Sequence, residues 1–343
     1  MATNSTFMRR EILEIPDATE KLLRDGRVAI ETAAKDLRAQ NPAFISTVAR
    51  GSSDHAATFL KYACELTLGL PVASLGPSVA SIFDAQLRLD GSACIAISQS
   101  GKSPDIVRMA QSATQQSAKS IAITNETSSN LAAVCNHTLN INAGVETSVA
   151  ATKTFVTSAV AGLALVAHWK QDDALIAAVD ALPRHLEKAT EFDWPELRAS
   201  LANQSSLYVL GRGPSLAMSN EAALKFKETC QIHAESYSSA EVLHGPVSIV
   251  EPGYPILALA SRDAAEASIN SVADKLAGQG ASVFITSDKA TNANQLGFAS
   301  TDHPLTDPIA LIVSFYAFIE KLAADRGINP DTPRNLKKVT ETV

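Results

Sequence analysis

Cys94-Ile95-Ala96-Ile97-Ser98-Gln99-Ser100-Gly101-Lys102-Ser103-Pro104-Asp105 passes from a short apolar run through three hydroxyl residues and a glycine to a helix start, with Ser103 at the cap position and Pro104 at the first helical position. A strand that ends by aiming hydroxyls and backbone N–H groups at a helix N-terminus makes an anion site, because the unpaired amides and the helix dipole both favour negative charge. The anion this predicts is a phosphate. A nucleotide P-loop is excluded: Gly101-Lys102-Ser103 would need a glycine five residues before Gly101, where Ala96 stands. What remains is a Ser/Gln/Ser cradle for a monophosphate, a pattern that ordinary turn chemistry also produces.

The same strand-turn-helix pattern recurs outward from this stretch. Phe44 to Ala49 reads as a buried strand leading through Arg50-Gly51-Ser52-Ser53 into a helix over 54–69. Strands are predicted at Pro71 to Ser74, Cys94 to Ile97, Ser120 to Thr124 and Thr138 to Asn142, with helices over 78–88 and 104–117 between them. Short apolar strands alternating with helices imply parallel crossovers and a doubly wound α/β sandwich, in which ligands bind beyond the carboxyl ends of the strands. Gly51, Ser52, Ser53 and the Ser98 to Ser103 turn all fall at such ends.

Residues 8–40 read as helical, broken at Pro16, and Thr152 to Lys170 as one long helix. The polar 172–204 region, with Pro183 and Pro195 as breaks, reads as a connector, after which the pattern restarts. Ser206 to Leu210 is a strand, Gly211-Arg212-Gly213-Pro214-Ser215 a turn and 216–230 a helix; strands at Pro255 to Ala260 and Ala281 to Thr286 and a helix over 308–324 follow. Setting Val48 to Ser53 beside Val209 to Pro214 predicts an internal duplication. The expected organisation is an N-terminal helical segment (1–40), a first domain (41–170), the connector (171–204), a second domain (205–330) and a C-terminal tail (331–343).

Of the 343 residues, 46% are hydrophobic and 19% charged, enough for a large core, and the formal net charge of -7 offers no basic field for nucleic acid or an anionic membrane. An anionic ligand must therefore be caught locally. Cys64, Cys94, Cys135 and Cys230 are far apart, with no Cys-x-x-Cys pair and no histidine at metal spacing, so free thiols in a reducing cytoplasm are expected and no metal or other cofactor. Neither a signal peptide nor an apolar run of membrane-spanning length is present.

In the second half Glu221, Lys225 and Glu228 fall on one helical face at i, i+4 and i+7. Spacing alone suits a solvated salt-bridged stripe as well as a site, but the helix follows a Gly-x-Gly turn at the edge of the sheet. His244 precedes Gly245-Pro246, a tight loop expected to fix the ring, and an imidazole suits proton transfer to a sugar ring oxygen. The chain closes on a stiff basic tail from Pro330 to Val339, where Lys338 is either solvated or folded over a pocket.

Taken with Ala49-Arg50-Gly51-Ser52-Ser53, Ser98-Gln99-Ser100-Gly101, Ala150-Ala151-Thr152-Lys153, Ala223 to Glu228, Ile232 to Glu235, His244-Gly245-Pro246 and Pro333-Arg334-Asn335-Leu336, nearly the whole chain resembles, in order, the isomerase region of glucosamine-6-phosphate synthase, a tandem of sugar-isomerase (SIS) domains. The resemblance implies two doubly wound parallel-sheet domains and a hexose-6-phosphate pocket. It places Ser98, Gln99, Ser100 and Ser103 on the phosphate, with Gly51, Ser52 and Ser53 nearby and Val149 lining the sugar. It assigns Glu228 to the proton between C1 and C2, Lys225 to a charged neighbour, His244 to ring opening and Lys338 to the tail lysine over the sugar. It further implies a homodimer in which the His244 loop is lent by the partner subunit.

The chain departs from that pattern at Ala151, where the family often has a serine, at Lys102, where an acidic residue is usual, and at Leu243, where a lysine is. No glutaminase domain is expected before Met1-Ala2-Thr3-Asn4. The expected activity is that of a cytoplasmic aminosugar-phosphate isomerase and deaminase that releases fructose 6-phosphate and ammonia from glucosamine 6-phosphate. The rivals are a deglycase of 6-phosphorylated fructosamine-amino acids and a sugar-phosphate sensor without turnover.

Overall fold

The computed structural model describes residues 5–338; Met1 to Asn4, and the end of the tail from Val339 onward, lie outside the described residues. The chain forms two compact units. One comprises Ile15–Glu146, Lys153–Pro183 and 337–338; the other comprises 5–14, Thr147–Thr152 and Arg184–Leu336. The 1–40 stretch is thus divided after Glu14 and the 171–204 stretch after Pro183.

The first unit is built on five parallel strands, β1 (Ile45–Val48), β2 (Val72–Ser74), β3 (Ala93–Ile97), β4 (Lys119–Thr124) and β5 (His137–Asn140), in the order β2-β1-β3-β4-β5. β1 and β3 are buried along their whole length, as strands covered on both faces are, and β3 is apolar throughout, while β1 also buries Ser46 and Thr47. Val48, Cys94 and Ala96 pack against Ile106, Met109 and Ala110 of the Pro104–Gln115 helix on one face. On the other, the Lys153–Lys170 helix is buried on nearly every side against the Ser52–Leu68, Arg27–Gln40 and Ile15–Asp25 helices.

The second unit repeats this plan with β6 (Ser206–Gly211), β7 (His233–Ser238), β8 (Pro255–Ala258), β9 (Ser282–Ile285) and β10 (Asn294–Gln295), all parallel, in the order β10-β9-β8-β6-β7. In both sheets the second strand in the chain lies at an edge and the first sits between it and the third, so the duplication extends to topology. Its register differs by one residue from the expected one. Gly51 (φ 56°, ψ -137°) and Gly213 (φ 59°, ψ -138°) hold the same left-handed conformation before the Ser52–Leu68 and Pro214–Cys230 helices, so Gly213, not Arg212, is the counterpart of Gly51. The Asp307–Asp325 helix is buried around its circumference and packs on the Pro214–Cys230 helix, where the rings of Phe226 and Phe315 meet edge to face at 5.3 Å.

Several local expectations are corrected. The N-terminal helices break at Glu14 and Gly26 rather than at Pro16, which sits in the first turn of Ile15–Asp25 where its missing N–H removes no hydrogen bond. The helix expected over 78–88 is one turn, Ser78–Ser81; Asp84 takes a left-handed φ of 50° that ends helical propagation. Pro183 and Pro195 lie in the opening turns of the Leu182–Ala189 and Pro195–Leu201 helices, so the breaks precede them. β7, a polar edge strand, runs through the Ile232 to Glu235 stretch that periodicity left unassigned. Among the described residues no helix is long and apolar enough to cross a membrane.

Candidate functional site

At the carboxyl edge of the first sheet, neighbouring strands β1 and β3 deliver two turns side by side, 50–53 and 98–103. Arg50 forms an ion pair with the fully buried Asp105, in the first turn of the helix after β3, and so ties the two turns together. Ser98 Oγ accepts the Gly101 N–H at 3.2 Å and Ser100 Oγ accepts the Lys102 N–H at 3.3 Å, which shapes the turn. Gly101 takes φ 61°, and a Cβ there would fall 2.1 Å from Ser129 Oγ, so the turn closes only on glycine. Ser103 occupies the cap position, but its hydroxyl makes no cap hydrogen bond.

Three polar groups remain. The side chains of Ser53, Gln99 and Ser103 are half-buried and make no hydrogen bond with any described residue. Two helices of 17 and 12 residues point their N-termini at the same edge. Burial pushes the Asp54 carboxyl up, against the pull of His55 and Arg50. Hydroxyls, an amide and helix N-termini suit one phosphate. Gly51, Ser52, Ser53, Ser98, Gln99, Ser100 and Ser103 all belong to this edge.

In the second unit the Glu221, Lys225, Glu228 face is buried rather than solvated. Lys225 and Glu221 expose no side-chain surface and Glu228 only 16%. Lys225 Nζ lies 3.2 Å from Glu221 Oε1 and 2.6 Å from Glu228 Oε2, and Tyr316 donates its hydroxyl to Glu221 Oε1 at 3.0 Å. Burial alone would lower the pKa of the ammonium, but the two carboxylates more than offset it and hold it above the usual lysine value. Glu221 thus anchors Lys225, and Lys225 holds Glu228.

His244 ends the short Glu241–His244 turn, separated by Gly245 (φ 145°) from Pro246–Ile249, whose Pro246 carbonyl accepts the Tyr208 hydroxyl at 3.0 Å. The loop is tight, but the ring is not fixed by it: His244 is exposed, and its ring makes no hydrogen bond or ion pair with any described residue. Val149 is half-buried in Thr147–Thr152, a segment Glu11 secures by accepting the Thr147 and Ser148 N–H groups. The Lys338 side chain is 27% exposed, and its Nζ lies 2.8 Å from Oε2 of the buried Glu146. Glu146 gave no sign in the sequence, for the irregular Ile141 to Glu146 stretch has no periodicity that marks a carboxylate as buried.

Among the described residues no three His, Cys, Asp or Glu side chains gather as a metal site. All four cysteines are free; Cys64, Cys94 and Cys230 are buried, and burial pushes the Cys94 thiol up to about 11.

The SIS domain model matches residues 40–168 and 200–319. The chain belongs to the SIS family. Its SIS units are 30% identical, over 97% of this chain, to the glutamine–fructose-6-phosphate aminotransferase [isomerizing] of Sulfolobus acidocaldarius, of which they cover 56%. The SIS chain therefore spans little more than half the length of that curated relative. A Silicibacter pomeroyi DSS-3 protein, provisionally named a phosphosugar isomerase, matches with 59% identity and a TM-score of 0.93 over 95% of this chain and all of that one. The C-terminal domain of glucosamine-fructose-6-phosphate aminotransferase from Francisella tularensis matches with 26% identity and a TM-score of 0.86 over 96% of this chain and 99% of that one.

Proposed function

We propose that the chain is an aminosugar-6-phosphate isomerase and deaminase, converting glucosamine 6-phosphate and water into fructose 6-phosphate and ammonia. The observation that carries this reading is the Lys225 to Glu228 contact of 2.6 Å on a helix that begins at the carboxyl edge of its sheet. A carboxylate in contact with an ammonium sealed from water can take the proton from C2 of the open-chain aldose and return it to C1. The C2–H bond breaks, a C1–H bond forms, and a second proton passes from the C2 nitrogen to the aldehyde oxygen, which leaves the nitrogen on C2 as an imine. Water adds to C2 and the C–N bond then breaks with ammonia as the leaving group.

Ring opening needs a proton moved between ring oxygen and anomeric hydroxyl, a task that suits the exposed imidazole of His244. Ser98, Gln99, Ser100, Ser103 and Ser53 would take the phosphate, and Lys338 would stabilise the oxyanion that forms as the proton leaves C2. The curated relative's name joins fructose 6-phosphate, amino transfer and isomerisation, which favours a hexose 6-phosphate with nitrogen at C2. In this reading the molecule works as a homodimer, with His244 serving the partner's site.

The test is release of ammonia and fructose 6-phosphate from glucosamine 6-phosphate, with galactosamine 6-phosphate and a fructosamine 6-phosphate run alongside. Turnover of the first that vanishes in Glu228→Gln supports the deaminase. Turnover of the fructosamine alone would make it a deglycase, and silence on all three with saturable sugar-phosphate binding would make it a sensor.

A further inference from the structure

We propose that Glu146 is the positioning residue for Lys338, fixing the tail ammonium where it acts; the inference rests on the role given to Lys338 above. The Glu146 side chain exposes no surface, and both of its oxygens are engaged. Oε2 accepts Lys338 Nζ at 2.8 Å and Thr154 Oγ1 at 2.7 Å, while Oε1 accepts the Thr154 N–H at 3.1 Å. Thr154 opens the Lys153–Lys170 helix, the most deeply packed element of its unit, and Lys153 Nζ bonds the Val145 carbonyl at 2.8 Å. The carboxylate is therefore fastened to a rigid helix at one end and offered to the tail at the other.

The tail has the opposite character. Residues 331–338 form neither helix nor strand, and an ammonium on a long flexible stem loses catalytic value unless an acceptor fixes it. Glu146 supplies that acceptor, and a buried carboxylate left without its cation would be destabilising, so the attraction runs both ways. Glu146 also lines, with Gln99 of the phosphate turn, an open cavity of about 450 Å³ in the same unit. Glu146 and a residue assigned to the phosphate thus share one cavity wall.

Four forms of the protein decide the matter: wild type, Glu146→Gln, Lys338→Met and the double variant, each measured for kcat and KM with glucosamine 6-phosphate. The rate of Lys338 acetylation in the lysine-bearing forms is followed by mass spectrometry. Glutamine keeps an acceptor for Thr154, so the fold is retained, and Glu146→Asp, which restores the charge, should recover part of any loss. Glu146→Gln is expected to lower kcat by about ten- to a hundredfold with KM changed less than about threefold. It should also speed acetylation of Lys338 several-fold and cost nothing further in the Lys338→Met background. Equal losses in both backgrounds, or unchanged acetylation, would overturn the assignment. Wild-type protein inert on glucosamine 6-phosphate would instead sink the deaminase reading, while acetylation would still report whether Glu146 holds the lysine.

Discussion

Lys225 and Glu228 form a contact of 2.6 Å in which the ammonium exposes no side-chain surface and the carboxylate keeps 16% of its own. The charge of Glu228 is balanced by the buried ammonium. Replacing it by glutamine keeps the shape and a hydrogen-bonding oxygen but removes the base. Glu228→Gln should lower kcat by about 10² to 10⁴-fold, the usual worth of a positioned acid-base group, while the dissociation constant of fructose 6-phosphate by calorimetry stays near wild type. Unchanged turnover would remove Glu228 from the mechanism.

Lys225→Met should destabilise the fold by about 3–5 kcal/mol, because it strands two carboxylates beside an apolar side chain. The pH dependence follows from the direction of the shift. The Lys225 pKa is raised in the folded protein, so its stabilisation is complete below the unfolded lysine value of about 10.4 and drains away as pH rises through the higher folded one. Urea midpoints measured from pH 7 to 11 should therefore give a wild-type minus variant difference that is flat to about pH 10 and narrows above it. A difference that grows with alkalinity would contradict the pairing.

Gly101→Ala tests the phosphate turn without touching its hydroxyls. The new Cβ would fall 2.1 Å from Ser129 Oγ and 2.5 Å from Ser129 Cβ, on a residue with φ 61°. Either Ser129 gives up its cap on Ala132 N–H or the turn shifts away from the helix N-terminus. Weakened fructose 6-phosphate binding, by about tenfold or more, should accompany a loss of about 1–3 kcal/mol of stability, and Ser129→Gly in the same chain should restore part of both. Wild-type affinity in the single variant would show that the turn does not hold the phosphate.

The turn chemistry of the two units was legible because it is local: a hydroxyl at the cap, a proline at the first helical position and a glycine at positive φ are written in adjacent residues such as Ser103, Pro104 and Gly101. The Glu221, Lys225, Glu228 stripe was legible only as spacing. Solvated and buried stripes share the same i, i+4, i+7 pattern, and what decides between them here is the Asp307–Asp325 helix, which brings Tyr316 onto Glu221 from far along the chain. The Arg50 to Asp105 and Lys338 to Glu146 pairs are equally tertiary, since each joins residues on different elements. β7 escaped notice because His233-Ala234-Glu235-Ser236-Tyr237-Ser238 is polar on an edge strand and carries no apolar alternation.

His244 offers the sharpest test of how subunits cooperate. Its ring is exposed and makes no hydrogen bond or ion pair with any described residue, so nothing within the described chain fixes it for proton transfer. If the imidazole serves the partner's site, His244→Ala and Glu228→Gln homodimers should both be inactive, since every site in each lacks one of the two groups. A mixed dimer differs, because one of its sites combines Glu228 from one subunit with His244 from the other. Random exchange puts half of the subunits into mixed dimers, and half of the sites there are intact, so a mixture of the two inactive variants should recover about a quarter of wild-type activity. Recovery that appears on unfolding and refolding the two together, and not on mixing without exchange, would place His244 across the subunit boundary. A refolded mixture that contains mixed dimers by mass and stays inactive would show that each subunit completes its own site.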